Sequence, residues 1–101
     1  MIISTVVTPF IVEYDHFQNV LHFSVSRTPS ISTLVSEDDY FQWRFAKNDE
    51  LVGVTLMDFM EHWTNEKDRK HMIVTLAYIF RQEEEIVENQ ISVTVLKDVL
   101  R

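Results

Sequence analysis

Residues 41–56 read FQWRFAKNDELVGVTL, and this stretch decides the fold. Phe41, Trp43 and Phe45 alternate with Gln42 and Arg44, the period-two pattern of a strand that buries one face. Asn48-Asp49 follows, a pair that tolerates positive φ and predicts a two-residue hairpin turn. The chain then returns through Leu51 to Leu56, where Val52, Val54 and Leu56 share a face. Gly53, the only glycine in the chain, sits inside this return strand. A glycine there marks a close approach over the backbone, and the bulky neighbour expected to make it is Trp43.

Upstream, residues 10–14 (FIVEY) read as a strand and residues 15–19 (DHFQN) as a turn. Asp15 and Asn19 suit such a turn because their side chains hydrogen-bond the local backbone. Residues 20–26 alternate again, with Leu21, Phe23 and Val25 opposed to His22, Ser24 and Ser26, so the two segments form a hairpin. Residues 27–33 (RTPSIST) read as a loop, or as an edge strand interrupted by Pro29.

Downstream the period changes. Asp58 is placed to cap a short helix through Trp63, and Thr64 or Asn65 to cap a longer one, with Glu66 and Asp68 in its first turn. Met72, Ile73, Leu76, Ala77 and Phe80 then recur at helical spacing. Residues 86–100 carry two patterns. Residues 91–95 (ISVTV) alternate and are β-branched, as in a strand, whereas Met72, Ile79, Ile86, Val93 and Leu100 recur every seven residues. The absence of Gly and Pro favours helix, continuous or restarted near Asn89. The expected fold is therefore α+β: a single domain over 1–101, with an antiparallel β-meander of about four strands in 1–57 and helices in 58–101 packed on one face.

Composition narrows the function classes. The 101 residues carry 46% apolar side chains and a formal net charge of −7. That balance suits a folded domain and opposes direct contact with nucleic acid or an anionic membrane surface. The chain has no cysteine, which excludes disulfides and thiolate metal sites and fits a reducing, cytoplasmic setting. Residues 1–9 lack the charged start and cleavage site of a signal peptide, and no apolar run approaches the roughly 20 residues that span a bilayer.

Several groups are candidate sites. Asp58, Glu61 and His62 lie close enough for a metal, but two ligand types on a short helix read more simply as a solvated cap. His22 and Arg44 fall on the polar faces of their strands and would make an anion site if those strands pair. Asp38-Asp39 reads as a solvated loop, and Lys67, Arg69, Lys70 and His71 as a helix surface among acids. Glu83-Glu84-Glu85 reads as an exposed helix turn or as part of an acidic, nucleic-acid-mimicking surface. No residue pattern calls for a catalytic group, a cofactor or a metal. The strongest candidate is the apolar helical band Met72, Ile73, Leu76, Ile79, Phe80, Ile86 and Val87, which divides between core and protein interface.

The segment from Tyr14 to Phe59 resembles the uncharacterised bacterial family known as domain of unknown function 2283. The residues that carry the likeness are Tyr14-Asp15, Asn19-Val20-Leu21-His22-Phe23-Ser24, Glu37-Asp38-Asp39, the hairpin of residues 41–56, and Met57-Asp58-Phe59. The family usually has a glycine leading into its third strand, where this chain has Tyr40 and Phe41, and usually ends soon after the short helix. The resemblance implies a compact meander on a helix, no assigned catalytic residues, and relatives that look like the partner half of toxin–antitoxin pairs.

The functional expectation is a non-enzymatic protein-binding module, in concrete form an antitoxin-like neutraliser of a small basic partner. Met72, Leu76, Ile79, Phe80, Ile86 and Val87 would form the interface, with a homodimer through the C-terminal helices. The alternatives are an acidic mimic that inhibits a DNA- or RNA-binding enzyme, and a small ligand-binding domain or enzyme using the polar sheet face.

Overall fold

A computed structural model describes residues 9–100 of the chain, so the reading of the first eight residues lies outside the described part. The fold is α+β, a single five-stranded antiparallel sheet followed by three helices. The elements are β1 (Ile11–Asp15), β2 (Val20–Ser24), β3 (Ser32–Val35), β4 (Phe41–Phe45), β5 (Leu51–Leu56), α1 (Phe59–Trp63), α2 (Glu66–Phe80) and α3 (Glu84–Val99). Spatial order is β1-β2-β5-β4-β3, so β5 closes the sheet between two hairpin arms and the chain is not a simple meander. The fifth strand is β3, which starts just beyond Pro29 and runs along the edge.

Register sorts the side chains by face. Val12, Phe23, Val54, Trp43 and Leu34 form one cross-strand row, and Tyr14, Leu21, Leu56 and Phe41 the next. Both rows turn towards the helices: the Phe80 ring lies 5.0 Å from Phe23 and 6.1 Å from Trp43, and Phe59 lies 5.5 Å from Tyr14. Met72, Leu76, Val87 and Ile91 complete this core and are fully buried. The opposite face carries the row Glu13, His22, Thr55, Gln42 and Val35.

Turn chemistry sets the corners. Asp15 Oδ1 accepts from the N–H groups of Phe17 and Gln18, and Asn19 takes the left-handed conformation at φ 55°. The β4–β5 loop has three residues rather than two: Ala46 N–H donates to Glu50 O, and Asp49 sits at φ 63°. This is the turn followed by one left-handed residue that commonly closes three-residue hairpins.

Helix starts are decided by side chains near and far. Asn65 Oδ1 accepts from Asp68 N–H at 3.0 Å and caps α2. Asp58 precedes α1 but makes no side-chain cap bond. Asn19 supplies the cap from the β1–β2 turn: its carbonyl accepts from Phe59 N–H at 2.9 Å, and its Oδ1 accepts from Met60 N–H at 3.0 Å. α2 stops where Arg81 turns left-handed at φ 55° and the N–H groups of Arg81 and Gln82 both reach Ala77 O.

Residues 84–99 are one helix, restarted at Glu84 rather than near Asn89. Val87 and Ile91 are buried four residues apart and Val95 packs beside them, a spacing that the helix turns to one side. The β-branched alternation of residues 91–95 is overridden by that packing.

Candidate functional site

Burial divides the expected interface. Met72 and Leu76 are fully buried, Phe80 is 7% exposed and Val87 is fully buried, so these four residues are core of the single chain. The reason is the sheet: the rows headed by Phe23 and Leu21 need an apolar cover, and this side of α2 and α3 supplies it. Ile79 and Ile86 alone of the six reach the surface, at 42% and 41% exposure.

The outward apolar surface lies further along α3. Ile86, Val93, Leu96 and Leu100 are exposed and, with Asn89, are spaced by alternating steps of three and four residues. That spacing places them on one stripe. The inner stripe of Val87, Ile91 and Val95 lies on the other side of the helix. α3 is therefore apolar on two faces, and among the described residues nothing covers the outer one. Val93 and Leu100 belong to the seven-residue recurrence visible in the sequence. Leu96 adds an apolar d position between Val93 and Leu100, while Asn89 takes the d position before it.

The stripe has a charged setting. Glu83, Glu84, Glu85 and Glu88 stand at the start of α3, and Lys97 stands near its end. A cleft of about 310 Å³ between α2 and α3 brings Glu84, Glu85 and Glu88 opposite Arg69 and Lys70. Two bases of α2 thus face the acids of α3 across the cleft. Arg69 also lies over the Trp63 ring at 5.7 Å.

The polar sheet face is a second constellation. His22 and Arg44 do not pair directly, because β5 separates their strands. His22 Nδ1 is 2.9 Å from Thr55 Oγ1. Arg44 Nη2 crosses β5 and donates to Ser24 Oγ at 2.8 Å and to Phe23 O at 3.2 Å. Its path runs over Gly53, so the group that the glycine admits is Arg44 and not Trp43, which points to the helix side. Burial, and then the Arg44 charge, lowers the His22 pKa below its ordinary value. The Arg44 Nε–H is buried without a partner, and burial lowers that guanidinium's pKa too. Clefts of about 370 and 410 Å³ lie over the edge near Ile11 and between β1 and α3, to the side of this row.

The remaining candidates disperse. Glu61 Oε2 accepts from Asn19 Nδ2 at 2.6 Å, His62 Nδ1 lies 3.0 Å from Asp68 Oδ2, and Asp58 makes no side-chain cap bond. Among the described residues no three His, Asp or Glu side chains converge on a metal position. Asp38 Oδ2 lies 3.1 Å from His71 Nε2, which ties the β3–β4 turn to α2. Among the described residues no helix is long and apolar enough to cross a membrane.

Comparison with protein-family models, curated proteins and solved structures gives no match to this chain.

Proposed function

We propose that this domain is a protein-binding module that receives an apolar partner helix along the outer stripe of α3. The observation that carries the reading is the second apolar face of α3: Ile86, Val93, Leu96 and Leu100, exposed by 41%, 44%, 56% and 74%. Single exposed apolar residues are ordinary, but an aligned set on one helix face marks an interaction surface. β-Branched Ile86 and Val93 at a and Leu96 at d suit pairing with one other helix, with Asn89 as the polar d position and Leu100 as the last a position.

The acids at the start of α3 favour a partner with basic residues at the matching end, and charge complementarity of this kind speeds encounter. A small basic protein held this way, as an antitoxin holds its toxin, is the concrete form of the proposal. The test compares the wild-type domain with Val93→Asp/Leu96→Asp, both checked for equal thermal stability, as baits in lysate of the native host. Retention of one basic protein by wild type, its loss with the variant, and rebinding of that purified protein to wild type alone would support the reading. Equal retention by both baits would remove α3 from the interface.

A further inference from the structure

The geometry points to self-association through the β3 edge, two copies of the chain pairing antiparallel to continue the sheet. β3 is the last strand of the sheet, and all four of its residues, Ser32, Thr33, Leu34 and Val35, are exposed. Leu34 and Val35, on opposite faces, are 61% and 54% exposed, and Ile31 just before them is 67% exposed. An edge of this composition offers an open row of backbone N–H and C=O groups beside β-branched and apolar side chains. Of the devices that blunt such an edge, β3 has only its shortness: residues 31–36 contain no charge and no proline.

The two edges of the sheet contrast. β1 carries Glu13 and Asp15, and α3 packs along it. Among the described residues β3 has neither protection.

A second copy is the occupant that the charges favour. The chain carries −7 overall, so two copies meet most easily where a surface is neutral. Antiparallel pairing about a two-fold axis at Leu34 sets Leu34 of one copy against Leu34 of the other on the helix side. On the open side it sets Thr33 against Val35. The acidic turn Glu37-Asp38-Asp39 then runs beside the uncharged residues 29–31 of the other copy, with its Lys47 one strand further in. Acid does not meet acid, and the contact is self-complementary, as a two-fold interface requires. The ladder ends where Pro29 lacks a donor.

One short strand pair buries less surface than the roughly 1,200 Å² of standard complexes, so micromolar association is expected. The lack of native cysteine makes the register directly testable. Directly opposed residues at a non-hydrogen-bonded antiparallel position stand about 4.5 Å apart at Cα, within disulfide reach. Leu34→Cys is expected to form a disulfide dimer under mild oxidation at least tenfold faster than Ile11→Cys on the opposite edge. In sedimentation the wild-type chain is expected to approach twice its 12.0 kDa mass at about 100 µM, with Val35→Lys monomeric and equally stable. Leu96→Asp is expected to remain dimeric, which separates this contact from the α3 stripe. A monomer at all concentrations, or equal cross-linking at Leu34 and Ile11, would overturn the proposal. A dimer abolished by Leu96→Asp but kept by Val35→Lys would do so too.

Discussion

Arg44 lies flat across Gly53: a Cβ on the glycine would stand 2.5 Å from Arg44 Nη2 and 2.6 Å from the Phe23 carbonyl oxygen. The chain's one glycine thus lets a guanidinium bridge from β4 over β5 to Ser24 on β2. It lies in the middle strand of the sheet, where glycine is otherwise a weak strand former.

Gly53→Ala is expected to destabilise the domain by about 1–3 kcal/mol in chemical denaturation, the range for overpacking a tight site. The clash has a movable side and a fixed one. Adding Arg44→Ala removes the guanidinium but leaves the Phe23 carbonyl, so the double variant should recover part of the loss. Strict additivity of the two changes would show that Arg44 and Gly53 are not coupled.

Asn19 joins four groups. It accepts from Met60 N–H, Phe59 N–H and the Tyr14 hydroxyl, and it donates to Glu61, all from a left-handed backbone. Asn19→Gly keeps the backbone preference and loses only the side-chain bonds, so it should cost about 1 kcal/mol, the usual worth of a cap. Asn19→Ala adds the left-handed penalty and should cost about 1–2 kcal/mol more. Equal losses in the two variants would show that the turn conformation carries no strain.

Stability should fall on the acid side through His22. Its folded pKa is lowered by burial and then by Arg44, so the folded state holds the ring neutral. That contribution is fully present above the unfolded value of about 6.5 and is lost as pH falls through the folded value. His22→Gln should flatten this part of the stability profile, and Arg44→Gln should move the His22 titration upward when followed by NMR. An unchanged His22 titration in Arg44→Gln would remove Arg44 as a cause.

Tyr40 acts at the other limb. Its hydroxyl is buried without a partner, and burial, with Asp68 and Asp38 nearby, pushes its pKa up to about 12. The neutral phenol is therefore favoured in the fold, and its contribution is present below pH about 10 and lost as pH rises towards 12. Tyr40→Phe removes an unsatisfied polar atom, so at neutral pH it should be neutral or stabilising by up to about 1 kcal/mol. It should also abolish the alkaline loss. A clear destabilisation at pH 7 would mean that the hydroxyl has a partner.

The class of fold was legible because local pattern and tertiary need agree there. Leu21, Phe23, Phe41, Trp43, Val54 and Leu56 alternate in sequence and face the same core in space. What escaped the sequence depends on residues distant in the chain. The α1 cap comes from Asn19, 41 residues before Met60, and the pairing of β5 with β2 is a long-range choice that no local period encodes. The helix break at Arg81 lacks the glycine that usually signals one, so Met72 and Ile86 looked like one band. The split of the expected interface runs within each helix: Ile79 faces outward on α2 while Met72, Leu76 and Phe80 are buried, and Ile86 faces outward on α3 while Val87 is buried.

That split makes the sharpest contrast between two leucines of the helical region. Leu76 is fully buried against the sheet, whereas Leu96 is 56% exposed. Leu76→Ala leaves a cavity in the core that Leu76 shares with Phe23 and Phe80 and should cost about 2–5 kcal/mol, visible as a large drop in melting temperature. Leu96→Asp changes only the outer stripe and should stay within about 0.5 kcal/mol of wild type when the isolated domain is dilute. Its effect should appear in partner binding, as a faster dissociation rate, because the apolar contact is lost while the fold persists. If Leu96→Asp instead destabilised the dilute domain as strongly as Leu76→Ala, the outer stripe would be covered within the chain and α3 would have no free face to offer.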